Sequence, residues 1–214
     1  MFVADRMTKN PITVTSDVKV DEAAAMMKKH GFRRLPVVDE GRVIGIFSDH
    51  DLMKVSPSPA TTLSKFEINS LLAKMTVKEI MVKKVKTIHV DATIEEAALV
   101  MYKEKIGGMP VVSSMGAIVG IITTTDIFKT FVDVMGLVDG KTRLTIAVTN
   151  KVGVVKEVAT VFAEMDINID SLVSCKTSSG QYEIVVRGDF PNVEMIKEKL
   201  LAKGYTVIHA VKIG

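Results

Sequence analysis

The chain has one cysteine, no tryptophan and few aromatic residues of any kind. With Cys175 alone, a disulfide within the chain is impossible and a cysteine-rich metal site is excluded. No apolar run approaches the ~18 residues that a membrane helix needs, and the first residues lack the apolar segment of a signal peptide. These absences predict a soluble protein of the reducing cytoplasm, with no membrane partner.

Basic and acidic residues are also nearly balanced, at 28 and 25. The 214 residues carry a net charge of +3, a weak bias that does not indicate a nucleic-acid partner. The apolar fraction of 47% is enough to bury real cores, and the charged fraction of 25% is that of a folded protein. The length suits two domains.

The common catalytic signatures are missing as well. The sequence contains no Gly-x-Ser-x-Gly, no His-Glu-x-x-His and no phosphate-binding loop of the P-loop type. Its four histidines are scattered, and none stands beside a recognisable nucleophile and orienting partner. We therefore expect no enzyme, no catalytic residues, no metal site and no catalytic cofactor.

What the chain does have is an internal repeat. Thr13 and Thr87 stand 74 residues apart, and many other identities share that offset until one inserted residue shifts it to 75, as between Asp51 and Asp126. The repeat predicts a first copy at about 1–56 and a second at about 76–135. Between them we expect a proline-broken loop at 56–59 and a linker helix at about 62–75, so that residues 1–136 form one domain.

Each copy predicts the order β-α-β-β-α. Short apolar strands are expected at 12–14 and 85–88, and a helix follows each with apolar residues at i, i+3, i+4 and i+7. Gly31 and Gly107 are predicted to end these helices, and Thr93 with Glu96 forms a capping box in the second copy, where the first copy has Lys19.

The second strand of each predicted hairpin runs into a polar turn. Ser48-x-x-Asp51 ends the first hairpin and Thr123-x-x-Asp126 the second. This spacing fits a capping box that only begins a helix. It also fits a nucleotide site, since a carboxylate can accept both hydroxyls of a ribose and a helix N-terminus can hold a phosphate. Both interpretations stay open at this level.

The paired turns, the apolar-Pro-Val strands and the Thr13 and Thr87 strands together resemble the CBS-domain family, whose paired domains form Bateman modules. The resemblance implies that the pair binds AMP, ADP, ATP or another adenosyl compound, with the threonine strands beside the base and Leu35-Pro36 and Met109-Pro110 as apolar walls for adenine. The residues it places in the two clefts are Thr13, Val14, Arg33, Arg34, Leu35, Pro36, Ser48, His50 and Asp51, and Thr87, Ile88, Gly108, Met109, Pro110, Thr123, Thr125 and Asp126.

The two clefts are expected to be unequal. Arg33 and Arg34 of the first copy occupy the positions of Gly107 and Gly108 in the second. Arginine offers forked donors to a phosphate, whereas glycine permits a close approach of the backbone and supplies no charge. We therefore expect the arginines to hold the phosphate.

Residues 141–214 follow a different pattern, β-α-β-β-α-β, which predicts a ferredoxin-like sheet with two helices on one face. The turn at Asn150, Val152 and Gly153 resembles that of the ACT-domain family, which implies a small-molecule or amino-acid effector there. Val152 stands where that family often has proline. The alternative is that Gly153 only begins a helix and the domain serves dimerisation.

The whole chain is thus predicted to be α/β (α+β), with a CBS pair followed by an ACT-like domain. That combination resembles the AcuB type of acetoin-utilisation proteins. It implies a regulatory adenine-nucleotide sensor that forms a homodimer and acts on an unknown regulated protein. The alternative function is an assembly module that binds no ligand.

Overall fold

The structure is a computed structural model that describes residues 1–55, 67, 72–137 and 140–213. It divides into two units, residues 1–127 and residues 128–214. The predicted loop at 56–59 and most of the predicted linker helix at 62–75 lie outside the described residues. Leu72 and Met75, at the end of that predicted helix, pack against the core of the first repeat.

The first unit contains both copies of the repeat. Its first copy consists of α1 (Val3–Arg6), β1 (Thr8–Lys9), α2 (Val20–His30), β2 (Arg34–Asp39), β3 (Arg42–Ser48) and α3 (Asp49–Val55). Its second copy consists of α4 (Val77–Ile80), β4 (Ile88–His89), α5 (Ile94–Glu104), β5 (Gly108–Val112), β6 (Ile118–Thr123) and α6 (Thr124–Val134), whose last turns belong to the second unit. The predicted hairpins and helices are confirmed. The predicted strand at 12–14 is reduced to one bridge, Val14 to Val37.

The helix ends agree with the prediction in three places and differ in one. Glu96 N donates to Thr93 Oγ1 over 3.2 Å, which confirms the capping box, whereas Lys19 makes no side-chain cap. Gly31 closes α2 in the left-handed region, as predicted. The prediction for Gly107 is wrong, because Lys105 takes the left-handed position at φ 55° and closes α5.

The N-terminal segment packs on the second repeat instead of its own. Val3 is fully buried in the core that contains Ile88, Met101 and Met109, and its N–H donates to the carbonyl of Ala92 over 2.8 Å. Strand β1 then pairs antiparallel with β6. The sheet of the second repeat therefore has the order β1-β6-β5-β4.

The segment at 77–82 mirrors this arrangement on the first repeat. Val77 is fully buried in the core of Val14, Leu35 and Phe47, and its N–H donates to the carbonyl of Val18 over 2.9 Å. Val82 bridges to Ile46 in strand β3. The two repeats thus exchange their leading segments, so neither core is complete without residues from the other copy.

The second unit is a four-stranded antiparallel sheet with two helices. Its elements after α6 are β7 (Thr142–Val148), α7 (Val154–Ala163), β8 (Ser171–Lys176), β9 (Tyr182–Gly188), α8 (Val193–Ala202) and β10 (Thr206–Lys212). The sheet order is β10-β7-β9-β8, and all pairs are antiparallel. The predicted ferredoxin-like order is confirmed.

Alternation along the strands separates the two faces of this sheet. Leu144, Ile146, Ile184 and Val186 are fully buried and pack against apolar residues of α7 and α8. No helix within the described ranges is long and apolar enough to cross a bilayer.

Candidate functional site

A cavity of about 430 Å³ lies within the first unit and takes walls from both repeats. The lining residues are Thr8, Asn10, Pro11, Ile12, Gly31, Phe32, Arg33, Arg34, Pro36, Ile121, Thr123, Thr125 and Asp126. Most are apolar or neutral, and the charges come from two arginines and one carboxylate. A cavity of this size with a few polar groups has the character of a small-molecule site.

One wall of the cavity is the crossover between the two repeats. Thr8 pairs with Ile121 in the sheet of the second repeat, and Asn10 N donates to the carbonyl of Val119 over 3.2 Å. The chain then runs through Pro11 and Ile12 to Val14, which bridges to the first repeat. The exchange of leading segments therefore builds this wall.

A second wall is the turn from β6 into α6. The backbone N–H and the hydroxyl of Thr123 each donate to Asp126 Oδ2 over 2.8 Å. These bonds hold the carboxylate at the first turn of an eleven-residue helix, where backbone N–H groups favour negative charge. The same turn serves the helix as a cap and presents Thr125 and Asp126 to the cavity.

Two adjacent arginines bring positive charge to the cavity. Arg33 is exposed and Arg34 is partly buried at the start of β2. Burial lowers the pKa of Arg34 from its ordinary value, and the neighbouring charge of Arg33 adds to this, while Asp49 opposes it. Guanidinium groups stay protonated at neutral pH, so both side chains remain cations that can bind an anion.

Gly107 makes room for one of these arginines. A Cβ atom on Gly107 would lie less than 3.0 Å from Nη2 of Arg34. The glycine is therefore explained by the close approach of a guanidinium and has no part in closing α5. Arg34 of the first repeat and Gly107 of the second thus meet directly.

The equivalent turn of the first repeat is arranged differently. Ser48 N and Oγ donate to Asp51 Oδ2 over 3.1 and 2.6 Å, which reproduces the bonds at Thr123. Asp51, however, is only 3% exposed and forms an ion pair with Lys54 at 3.0 Å. Of the two aspartates, Asp126 is the one that lines the cavity described above.

Six of the residues placed in clefts by the sequence meet in this cavity: Arg33, Arg34, Pro36, Thr123, Thr125 and Asp126. This grouping differs from the expected one, because the arginines share the cavity with the turn of the second repeat. The reason is that the cavity lies between the repeats, so each wall comes from a different copy. The other candidates outside its lining are Thr13, Val14, Leu35, Ser48, His50, Asp51, Thr87, Ile88, Gly108, Met109 and Pro110.

Leu35 and Met109 illustrate why some candidates do not reach the cavity. Both side chains are fully buried and belong to the cores of their own repeats, so they do not line an adenine pocket in this structure. Val14 and Ile88 are likewise buried core residues. Alternation along a hairpin strand sends such apolar side chains toward the helices.

Sequence reasoning missed the part of the cavity that comes from the N-terminal segment, namely Thr8, Asn10, Pro11 and Ile12. It also missed Gly31, Phe32 and Ile121. The one signal that pointed there was closeness in sequence to predicted site residues. Ile12 directly precedes Thr13, and Ile121 lies two positions before Thr123.

The second unit has its own concavity, of about 810 Å³, beside the turn after β7. Asn150 and Lys151 line it, whereas Val152 is fully exposed and Gly153, at φ 88°, caps α7 without lining it. Lys151, Glu157 and Tyr205 are linked by polar contacts. Lys151 Nζ lies 2.9 Å from Glu157 Oε2, and the Tyr205 hydroxyl donates a hydrogen bond to the same oxygen. Hydrogen bonds from Tyr205 and Lys151 lower the pKa of Glu157.

Within the described residues, no three His, Cys, Asp or Glu side chains are grouped to hold a metal ion. Cys175 is an exposed free thiol.

The CBS-domain family model matches residues 3–58 and 77–133, and the ACT-domain model matches residues 142–204. The chain belongs to the CBS-domain family. It carries a tandem CBS pair followed by an ACT domain, and both are regulatory domains. The matched segments coincide with the two repeats and with the ferredoxin-like unit.

The curated relatives include proteins named as enzymes, and the match covers only part of each. The L-aspartate semialdehyde sulfurtransferase of Methanocaldococcus jannaschii is 35% identical over 131 residues, which is 61% of this chain and 23% of that protein. The chain thus spans less than a quarter of this relative, and the match is confined to a length that corresponds to the CBS pair.

Solved structures cover a similar share of the chain. The CBS domain pair of protein MJ0100, in complex with 5′-methylthioadenosine and S-adenosyl-L-methionine, is 36% identical with a TM-score of 0.51, covering 61% of this chain and 95% of that one. CBSX2 of Arabidopsis thaliana in complex with AMP is 25% identical, with a TM-score of 0.52 and coverage of 62% and 96%. A proposed acetoin utilization protein, AcuB of Vibrio cholerae, is 29% identical, with a TM-score of 0.53 and coverage of 65% and 96%.

Proposed function

We propose that the protein is a regulatory sensor whose CBS pair binds an adenine nucleotide in the cavity between the repeats. The observation that carries this proposal is the composition of the cavity, in which Asp126 at a helix N-terminus faces the same space as Arg33 and Arg34. A carboxylate and two guanidinium groups around an otherwise largely apolar cavity match the ribose, the phosphate and the base of a nucleotide.

Each part of the ligand has a candidate partner. The Asp126 carboxylate accepts hydrogen bonds from the ribose hydroxyls, and an ionised carboxylate has several acceptor sites beyond those used by Thr123. Arg34, with Arg33, binds the phosphate. Pro11, Ile12 and Ile121 supply apolar contacts for the base. The complexes of the two similar CBS proteins with AMP, S-adenosyl-L-methionine and methylthioadenosine support an adenosyl ligand.

Ligand binding would act on regulation through conformation. A ligand shifts an equilibrium only when it binds one arrangement better than the other. Because the cavity walls belong to both repeats and to the crossover, a nucleotide that contacts all three favours the arrangement in which they are close together. The signal is then passed to an unidentified regulated protein.

Calorimetric titration of the full chain with AMP, ADP, ATP, S-adenosylmethionine and methylthioadenosine tests the proposal. Asp126→Asn is the test variant, and Asp51→Asn is its matched control from the other repeat. We expect at least one adenosyl ligand to bind saturably. We also expect Asp126→Asn to weaken it by about 1.5–3 kcal/mol, the usual size of a hydrogen bond to a charged group.

The two variants separate the outcomes. Loss of affinity in Asp126→Asn, with a smaller loss in Asp51→Asn, supports a working site in the cavity. Equal affinity of the wild type and Asp126→Asn overturns the ribose assignment. Absence of binding by every ligand overturns the sensor and favours an assembly module.

A separate observation, exposed apolar side chains on helix α6, supports a role in assembly. Phe128, Phe131 and Val134 on helix α6 are 70%, 54% and 54% exposed. Apolar side chains at this spacing on one helix suit burial against a second chain. We propose a homodimer on this basis, and sedimentation of Phe128→Ser,Phe131→Ser tests it. A change from dimer to monomer supports the helix as an interface, and an unchanged mass excludes it.

Two narrower proposals concern the effector of the ACT domain and the process that the protein regulates. The concavity beside Asn150 and Lys151 supports a small effector with an anionic group, which Lys151 would bind. The likeness to AcuB of Vibrio cholerae supports a role in acetoin or related carbon metabolism in the cytoplasm. Thermal-shift screening with amino acids and small organic acids tests the first, since Lys151→Gln should abolish any shift.

A further inference from the structure

Two arginines lie side by side on the face of the ACT sheet that is turned away from helices α7 and α8. Arg143 of β7 and Arg187 of β9 are direct cross-strand partners. Their neighbours in the strands, Leu144 and Val186, point into the helix-covered core, so alternation places both arginines on the opposite face.

Arg187 is a buried cation. The residue is 6% exposed, and within the described ranges its Nε has no hydrogen-bond partner. Nη1 lies 3.9 Å from the sulfur of Met135, a weak acceptor. Thr145 and Val185 on the same face are 4% and 6% exposed, which shows that this part of the face is covered.

Among the described residues, the cross-strand neighbours of this pair supply no counter-charge. The residues that continue the row across the sheet are Val211 beside Arg143 and Ser171 beside Arg187, both neutral. Arg143 Nη1 donates to the neutral hydroxyl of Thr145 over 2.5 Å. Across the part of the chain that the structure describes, no ion pair involves either arginine.

This arrangement is unfavourable unless something neutralises it. Like charges directly opposite each other destabilise a sheet, and a buried charge without a partner is among the costliest features of a fold. Burial, with the nearby charge of Arg143, lowers the pKa of Arg187, but a guanidinium does not lose its proton in a protein.

We propose that Arg143 and Arg187 form a binding site for a small oxyanion, a phosphate or carboxylate group carried by a metabolite. Two adjacent guanidinium forks present several N–H donors to one anionic group and match its planar or tetrahedral oxygens. The site is in the ACT domain and shares no lining residue with the concavity at Asn150. It does not depend on the nucleotide proposal.

The test is the stability of the full chain with and without anion. Wild type and Arg143→Gln are unfolded thermally in chloride buffer and in inorganic phosphate of the same ionic strength, with malonate as a parallel carboxylate probe. Arg143 is only partly buried, so Arg143→Gln is expected to fold, and it is preferred to a substitution at the buried Arg187. Arg34→Gln is the control, because it weakens phosphate binding in the cavity of the CBS pair and leaves the ACT domain unchanged.

The proposal predicts that added anion changes which of the two proteins, wild type or Arg143→Gln, gains more in melting temperature. In chloride, Arg143→Gln melts at a higher temperature than the wild type, because repulsion is relieved. In phosphate or malonate the wild type gains several degrees and the variant gains little, since a bound anion stabilises only the native state that holds it. The preferred probe identifies the oxyanion class. Arg34→Gln should leave the wild-type gain unchanged.

Three results would overturn the site. Arg143→Gln could be destabilised equally in all buffers, which would mean that the arginines have only a packing role. The gain in phosphate could vanish in Arg34→Gln, which would assign it to the cavity of the CBS pair. The melting temperature could depend on protein concentration and not on added anion, which would assign the neutralising charge to a second chain.

Discussion

The sulfur of Met7 occupies the space in which any side chain at position 120 would begin. A Cβ atom on Gly120 would lie less than 3.0 Å from that sulfur. Met81 and Gly45 repeat the relationship on the other copy. Each glycine therefore leaves space for the methionine side chain of an exchanged segment. The contact between methionine sulfur and glycine is the same in both repeats.

We expect Gly120→Ala to destabilise the protein through this contact. Overpacking of this kind typically costs about 1–3 kcal/mol, and the flexible methionine places the value toward the lower end. Chemical denaturation gives the change. Met7→Ala in the same chain should recover part of the loss, because it vacates the space. If the double variant is as unstable as the sum of the two single variants, the contact is not the cause.

Val3→Ala and Val77→Ala form a matched pair that tests the exchange itself. Both valines are fully buried, so each truncation should cost about 2 kcal/mol. The exchange predicts where the loosening appears: Val3→Ala lowers hydrogen-exchange protection around Val111, and Val77→Ala around Val37. Loosening of the first repeat by Val3→Ala would contradict the structure.

Thr93→Ala removes a cap that the first repeat lacks. The Thr93 hydroxyl accepts from Glu96 N, and loss of such a cap costs about 1 kcal/mol. Lys19→Ala at the equivalent position should change stability by less than about 0.5 kcal/mol, since Lys19 makes no side-chain cap. Equal effects would show that the hydroxyl contributes little.

The same cap should make stability depend on acid pH. Hydrogen bonds from the backbone and side chain of Thr93 lower the pKa of Glu96 below its ordinary value of 4.5. A carboxylate with a lowered folded pKa contributes its full stability above pH 4.5 and loses it as the pH falls through the folded value. Glu96→Gln should reduce the slope of unfolding free energy against pH below 4.5. Glu95→Gln, outside the cap, should preserve it.

Arg34→Met should separate ligands by charge. A phosphate-bearing nucleotide is expected to lose about 1.5–3 kcal/mol, roughly ten- to a hundredfold in dissociation constant, because a charged hydrogen bond is removed. Methylthioadenosine, which has no phosphate, should bind as before. Arg42→Met is the control, since Arg42 lies outside the cavity. Equal losses for both ligands would refute a phosphate role for Arg34.

The repeat made the local structure predictable and the exchange invisible. Offsets of 74 and 75 residues, helical spacing and turn residues identified the hairpins, the long helices and the cap at Thr93. Val3 and Val77 are equivalent in the repeat, so the sequence pattern is the same whether each segment packs on its own copy or on the other. Only the three-dimensional arrangement of the chain decides between the two.

The error in grouping the cavity residues follows from this. Arg34 and Asp51 belong to one repeat and were expected in one cleft, but the described cavity pairs Arg34 with Asp126. Gly107 was interpreted as a helix end because the approach of Arg34 cannot be seen in a linear sequence. In the ACT domain, by contrast, the contacts of the core follow strand alternation closely, and the predicted order of elements is confirmed.

The exchange also sets an order for events on the ribosome. Val3 is synthesised nearly 120 residues before Ile122, a member of the same core. At 5–20 residues per second, that interval is roughly 6 to 24 seconds. The leading segment has no core partner from the second repeat until Ile88 emerges, and that core is not complete until Ile122 does. The first repeat is also missing Val77 for much of this time. Neither half can be finished as soon as it emerges, so the nascent chain offers chaperones and proteases a long period of access before both cores close together.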